Sequence, residues 1–316
     1  MRGNRIKMNT DMDESQLPPD DHQSTLIPNN RIIGHYTSIE SLLTILSAGT
    51  FKFSPLNEMN DPWENQPREF FRFAQDEANS DHTLPVENNL KFDLHNHVKL
   101  FCATHSLSPP QVATQLHPDT PWLTSDQHVD RCVNDLGQME IGACHACFER
   151  LRMWEQYGDR RRGACLLIDR VLFRKQIEEN HKRNVSGFVA YAGYPNSLSI
   201  RTQAAAIQSD GSMANMNEIV DFNLNCNCSG LFFLKDIDWA SENEFRFAIL
   251  DRNKGSTFVK FGDSLRAIVL GWECHPALRH SIAKLVDVPV YQHVWNKLAS
   301  RLVIPMEQIP GLEVKR

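Results

Sequence analysis

The sequence predicts an α+β fold: a mixed, largely antiparallel sheet with helices packed against it. Three observations lead there. Helical and strand signals are interspersed without the strict alternation that marks a parallel sheet. The C-terminal third is strand-rich, with runs at 243–250, 257–261, 265–270 and 288–294 and one helix near 275–286. The segment W-A-S-E-N-E-F-R-F-A-I-L, Trp239 to Leu250, alternates in character. Read as a strand, it puts Phe245, Phe247 and Ile249 on one face and Glu242, Glu244 and Arg246 on the other.

The elements follow in order. Residues 1–30 are polar, carry Pro18, Pro19 and Pro28 and five acids, and read as a disordered tail. Residues 31–316 read as a single α+β domain with a lid or insertion near 80–140. R-I-I-G-H-Y-T is a strand that closes at His35-Tyr36. A helix follows: Thr37 and Glu40 have capping-box spacing, Ile39, Leu42, Leu43 and Leu46 recur at helical period, and Gly49 sits at a C-cap. Phe51–Ser54 is a short strand, 55–62 a loop, and 64–79 a helix. In the 80–140 stretch one strand, Lys99–Thr104, and one helix near 124–136 are expected. A strand at 140–147 leads to the helix R-L-R-M-W-E-Q-Y, which Gly158 ends. The strand G-A-C-L-L-I-D, a helix at 170–182, a strand at 187–192 and helical material over 198–225 complete the middle.

Composition bounds the function. The chain has 316 residues, 41% hydrophobic and 23% charged, enough for a packed core. A net charge of −6 does not indicate a nucleic-acid coat, although a local basic groove is compatible with it. No apolar run reaches the roughly 18 residues that span a bilayer. The first thirty residues lack an apolar signal core, so a cytoplasmic protein without membrane attachment is expected. The eight cysteines then read as free thiols. Cys144-His-Ala-Cys147 and Cys226-Asn-Cys228 invite zinc, but no second knuckle completes four ligands, so no metal is expected.

Four places carry candidate chemistry. Glu242 and Glu244, about 7 Å apart along a strand, are the leading catalytic candidates, because a carboxylate on a sheet face stabilises a sugar cation or orients a hydroxyl. A solvated face balanced by Arg246 accounts for them equally well. His35 and Tyr36 beside a helix N-terminus suit a ribose-bearing or anionic ligand, although a histidine satisfying a neighbouring carbonyl is the more common arrangement. Asn60-Asp61-Pro62-Trp63-Glu64 has capping roles that explain each residue. Met153, Trp154 and Tyr157 form a helical stripe that reads as core. Arg160-Arg161-Arg162 after it suit phosphate or a solvated helix end.

Together, the segments His35-Tyr36, Asn60–Glu64, Met153–Tyr157 with Gly163-Ala164-Cys165, and Trp239–Arg246 resemble the ordered motifs of a poorly characterised bacterial family. Its members carry an N-D-P-F-E-like turn, M-W-x-x-Y…G-x-C and W-x-x-E-x-E-x-R. The phrase A-I-V-L-G at 267–271 is similar to its closing strand. The resemblance spans about residues 31–272 and departs from the pattern at Trp63 and over 105–140. It implies a domain of unknown function, often encoded near phage-defence genes. G-H-Y-T-S-I-E-S-L-L-T-I-L-S-A-G-T-F also resembles the opening of DNA-targeting ADP-ribosyltransferase toxins. That resemblance implies an NAD-consuming defence effector or toxin with an ADP-ribosyltransferase-like fold and a macromolecular acceptor. In it His35 meets a ribose hydroxyl or the nicotinamide amide, Tyr157 or Tyr191 stacks on nicotinamide, and Glu244, ahead of Glu242, favours the oxocarbenium ion. Tyr36 and Arg246 complete the cofactor-binding set. Two alternatives stand beside it: a non-catalytic sensor or protein-interaction module, and a metal-dependent nuclease using Asp61, Glu64, Glu242 and Glu244.

Overall fold

Twelve strands and four α-helices are described in a computed structural model covering residues 31–61, 95–106, 147–192, 231–294 and 302–305. The strands are β1 (Ile32–Thr37), β2 (Thr50–Pro55), β3 (Val98–His105), β4 (Ala164–Asp169), β5 (Asn184–Phe188), β6 (Ala190–Ala192), β7 (Leu234–Asp236), β8 (Glu244–Leu250), β9 (Thr257–Lys260), β10 (Leu265–Leu270), β11 (Val290–Val294) and β12 (Leu302–Pro305). The helices are α1 (Ile39–Ala48), α2 (Leu151–Gln156), α3 (Arg170–Asn180) and α4 (Pro276–Leu285).

The expected α+β class is observed. Ten strands form one sheet whose main path runs β12-β11-β10-β4-β1-β3-β2-β9, with β8 on β3 and β5 on β8. Every pairing in it is antiparallel except β10 with β11. The remaining strands, β6 and β7, pair parallel to each other. No helix among the described residues is long and apolar enough to cross a membrane.

Period-2 alternation divides the sheet into two faces. One face, built from Ile33, Leu166, Ile168, Phe101, Phe245 and Phe247, buries an aromatic cluster with Phe51 and Phe53 of β2. Helices α1, α3 and α4 cover it through Ile39, Leu42, Phe173, Ile177 and Ile282. Phe173 meets Phe247 edge-on at 5.0 Å, a favoured aromatic geometry. The other face carries Tyr36, Cys165, Leu167, Ala267 and Val269 beneath α2, whose Trp154 is fully buried. The Trp154 indole donates to the Phe148 carbonyl at 2.8 Å, so burying the ring strands no donor.

Several boundaries differ from the sequence reading. The N-cap of α1 is Ser38, whose hydroxyl accepts from the Ser41 amide, while Thr37 stays in β1. Strand pairing with β4 holds Thr37 in the extended conformation, which shifts the cap by one residue. Gly49 adopts φ 65° and closes the helix as expected. His35 does not end β1: it is paired with Leu166 inside the strand. The region read as a strand from 187 splits into β5 and β6. Trp239–Glu242 is not strand but the end of a 3₁₀ helix over Ile237–Glu242, and Asn243 at φ 45° turns the chain into β8. The expected helices at 64–79, 124–136 and 198–225, most of the proposed lid, and the tail lie outside the described residues.

Candidate functional site

The site begins with a fork in the sheet. Strand β3 is in register with β1 only at Thr104–Gly34 and His105–Ile33, and with β2 only at Lys99–Pro55 and Leu100–Ser54. Between those points, along Phe101–Ala103, β1 and β2 diverge. On its opposite edge β3 is paired with β8 from Val98 to Thr104. The divergence opens a cleft of about 230 Å³ lined by both arms of the fork and by Met153, Tyr157, Lys235, Glu242 and Glu244.

His35 sits at the floor of this cleft. Its Nδ1–H donates to the Cys102 carbonyl at 3.0 Å, which lies where the fork leaves no strand amide in register. A carbonyl only accepts, so the neutral ring carries its proton on Nδ1 and keeps Nε2 as an acceptor. The ring packs on Phe101 at 4.7 Å and Phe51 at 5.9 Å. Burial lowers its pKa below the ordinary 6.5, and the Cys102 carbonyl opposes that only in part. The register places His35 on the aromatic face of the sheet and Glu244, opposite Thr104, on the α2 face. The two reach one cleft because it passes through the fork.

The acids form the wall. Glu242 comes from the 3₁₀ helix and Glu244 from the first position of β8, so the left-handed turn at Asn243 sets their relation instead of strand alternation. Both are buried, and the expectation of a solvated strand face is overturned. Lys235 of β7 bridges them, with Nζ 2.7 Å from Glu242 Oε2 and 3.2 Å from Glu244 Oε2. Its ammonium also lies 4.7 Å from the centre of the Trp239 ring. Arg246 grips Glu244 with a bidentate fork at 2.7 and 2.9 Å and donates to the Phe232 carbonyl at 2.6 Å. The Tyr157 hydroxyl donates to Glu242 Oε1 at 2.7 Å. Burial pushes the Tyr157 phenol upward, and Glu242 beside it adds to the shift. Burial alone would also raise Glu244, but Arg246 and Lys235 outweigh it and hold that carboxyl at about 2.

Thus His35, Tyr36, Tyr157, Glu242 and Glu244 line the cleft, and Tyr191 and Arg246 do not. The Tyr191 hydroxyl accepts from the Glu244 amide at 2.8 Å, behind the carboxylate. The Tyr36 hydroxyl donates to the Cys147 carbonyl at 2.6 Å, and its ring meets Trp154 edge-on at 5.0 Å, so it packs the wall. Asp61 also lines the cleft; Trp63 and Glu64 lie outside the described residues. Among the described residues no three His, Cys, Asp or Glu side chains form a metal cage. Lys235 and Arg246 already supply the positive charge that an ion would bring to the two glutamates. Of the zinc candidates, only Cys147 is described, and it is buried.

Sequence reasoning missed Lys235 and Thr104. The signal for Lys235 was a lone lysine closing the apolar run L-F-F-L. Thr104 also lines the cleft, and its buried hydroxyl has no hydrogen-bond partner among the described residues. The spare valence of the two acids differs. Arg246 and Lys235 place three donors on the two oxygens of Glu244. Glu242 receives one donor on each oxygen, from Tyr157 and Lys235, and each keeps a lone-pair direction.

Comparison with known proteins adds one finding. No curated protein and no solved structure matches the chain. Residues 153–247, which take in the wall from Met153 through Arg246 and leave out β1, β2 and β3, match the model of a family described as "Protein of unknown function (DUF2971)".

Proposed function

We propose that the cleft binds the nicotinamide–ribose end of NAD and that the protein is an NAD-cleaving, ADP-ribosyltransferase-like enzyme. The observation that carries this reading is Glu242: a buried carboxylate in a cleft, aligned by Tyr157 and Lys235, with acceptor capacity left for a ribose hydroxyl. Glu244 was the stronger candidate from sequence, but its oxygens are taken up by Arg246 and Lys235, so the acid role moves to Glu242. The volume supports one end of the ligand. Sites that enclose a whole ligand hold about 300–1,000 Å³, and 230 Å³ accommodates a nucleoside-sized group with the remainder outside.

In this reading the bond from ribose C1′ to the pyridinium nitrogen breaks. Its electron pair leaves with nicotinamide, which departs neutral. The oxocarbenium ion that remains is stabilised by the Glu242 carboxylate across the cleft. A hydroxyl of the acceptor, or water, adds to C1′ and releases its proton to Glu242 or solvent. His35 Nε2 at the floor is an acceptor for the nicotinamide amide or a ribose hydroxyl.

The test uses NAD labelled separately in nicotinamide and in adenylate, with the full chain and cell extract. Release of nicotinamide that is lost in Glu242→Gln supports the reading. Absence of both nicotinamide release and NAD binding overturns it. A second reading has its own observation: Lys235 and Arg246 balance both glutamates internally, as in a non-catalytic sensor or interaction module. In that case any phage protection or toxicity survives Glu242→Gln.

A further inference from the structure

We propose that Lys235 is the positioning residue of this cleft: one buried ammonium that keeps two glutamates together as carboxylates and aims Glu242 at its ligand. The inference rests on the reading of Glu242 as the ligand-binding acid. Two oxygens that lie 2.7 and 3.2 Å from one nitrogen are less than about 6 Å apart. At that separation inside a protein, two carboxylates without a cation between them share a proton. Lys235 removes the need.

The surroundings single this ammonium out. Among the described residues Arg246 is the other cation paired with these glutamates, and its fork is spent on Glu244, while Lys52 elsewhere on the cleft lining pairs with Glu58. From the C-cap of α2, Tyr157 donates to Glu242; from β6, Tyr191 accepts from the Glu244 amide. From β3, the Cys102 thiol hydrogen-bonds the Glu244 carboxylate. Neither tyrosine nor the thiol brings positive charge. Glu242 therefore depends on Lys235 for charge balance in a way that Glu244 does not. Trp239 beneath the ammonium fixes where it stands, since a cation over an indole face is attracted to it. β7 pairs with β6, apart from the ten-stranded sheet, and runs directly into the 3₁₀ helix that ends at Glu242, so Lys235 and Glu242 belong to one local unit while Glu244 stands on β8 of the large sheet.

The test compares wild type, Lys235→Met, Lys235→Arg and the double variant Lys235→Met/Glu242→Gln. In Lys235→Met the acid limb of the nicotinamide-release profile moves up by about two pH units, because the glutamate pair takes up a proton. Infrared spectra of the same variant show a protonated carboxyl band near neutral pH that wild type lacks. Lys235→Arg returns the limb towards its wild-type position. A lower rate with an unshifted profile and no new carboxyl band overturns the proposal, as does a limb in Lys235→Arg as displaced as in Lys235→Met. If Lys235→Met folds poorly, urea unfolding decides: the double variant, with one of the repelling charges removed, has a higher midpoint than Lys235→Met, and equal midpoints overturn the proposal. The infrared and urea arms need no turnover, so their outcome stands apart from whether NAD is cleaved at all.

Discussion

Arg246→Met is the substitution whose consequence the structure specifies most fully. Arg246 has no exposed surface and donates at 2.7 and 2.9 Å to Glu244 and at 2.6 Å to the Phe232 carbonyl. Methionine fills much of the same volume but leaves a buried carboxylate whose remaining cation among the described residues is Lys235 at 3.2 Å. Breaking a buried pair from one side costs about 3–5 kcal/mol, so Arg246→Met should lose about 4 kcal/mol at pH 7. The acid side gives an independent check. Burial alone would raise the Glu244 carboxyl, but Arg246 first and then Lys235 bring it from an ordinary 4.5 to about 2. Its folded value lies below its unfolded value. The stabilisation is therefore complete above about pH 4.5 and lost as pH falls towards 2. At 1.36 kcal/mol per unit that loss is about 3 kcal/mol. In Arg246→Met most of this acid-side loss disappears, so the gap between variant and wild type narrows from pH 7 to pH 3. Urea unfolding followed by tryptophan fluorescence measures both arms. A loss below about 1 kcal/mol at pH 7, or an equal gap at both pH values, refutes the reasoning.

Other perturbations test other parts of the fold. His105 is buried with its pKa at about 3, chiefly through burial and then through Arg150 and Arg170. Between pH 6.5 and 3 the unfolded chain takes up a proton that the folded chain refuses, so stability falls by about 4 kcal/mol across that window; His105→Leu should flatten the slope in a pH series of urea melts. Gly163→Ala would drive a methyl into the Thr37 carbonyl and Gly271→Ala into the Arg161 carbonyl, both backbone atoms. Each should cost about 2–4 kcal/mol in thermal unfolding. Arg160 is exposed at φ 50°, between two other residues of positive φ. Arg160→Gly should stabilise the protein by about 0.5–1 kcal/mol in the same melts, because glycine carries no Cβ penalty there.

Much of the scaffold was legible because its signals are local. Helix α1 announced itself through the period of Ile39 and Leu42 and the left-handed Gly49, and β8 through the alternation of Phe245 and Phe247. The aromatic face of β8 was read correctly for the same reason. What failed was also local in cause. Asn243 in a left-handed conformation inserts a turn between the two glutamates, and nothing in W-A-S-E-N-E marks that turn apart from the tolerance of asparagine for it. The site itself depends on long-range register. That Lys235 meets Glu242, or that the His35 ring serves the Cys102 carbonyl 67 residues away, follows from strand order, which no short window of sequence contains. Tyr157 and Tyr191 looked alike in sequence; only the placement of β6 behind β8 separates the tyrosine that meets Glu242 from the one that holds a backbone amide.

The parting of β1 from β2 has an evolutionary corollary. A depression made by surface loops vanishes when those loops are shortened or redrawn, whereas this one is written into which strand neighbours which along β3. A change in a side chain on its rim therefore leaves intact the strand order that keeps the entrance open.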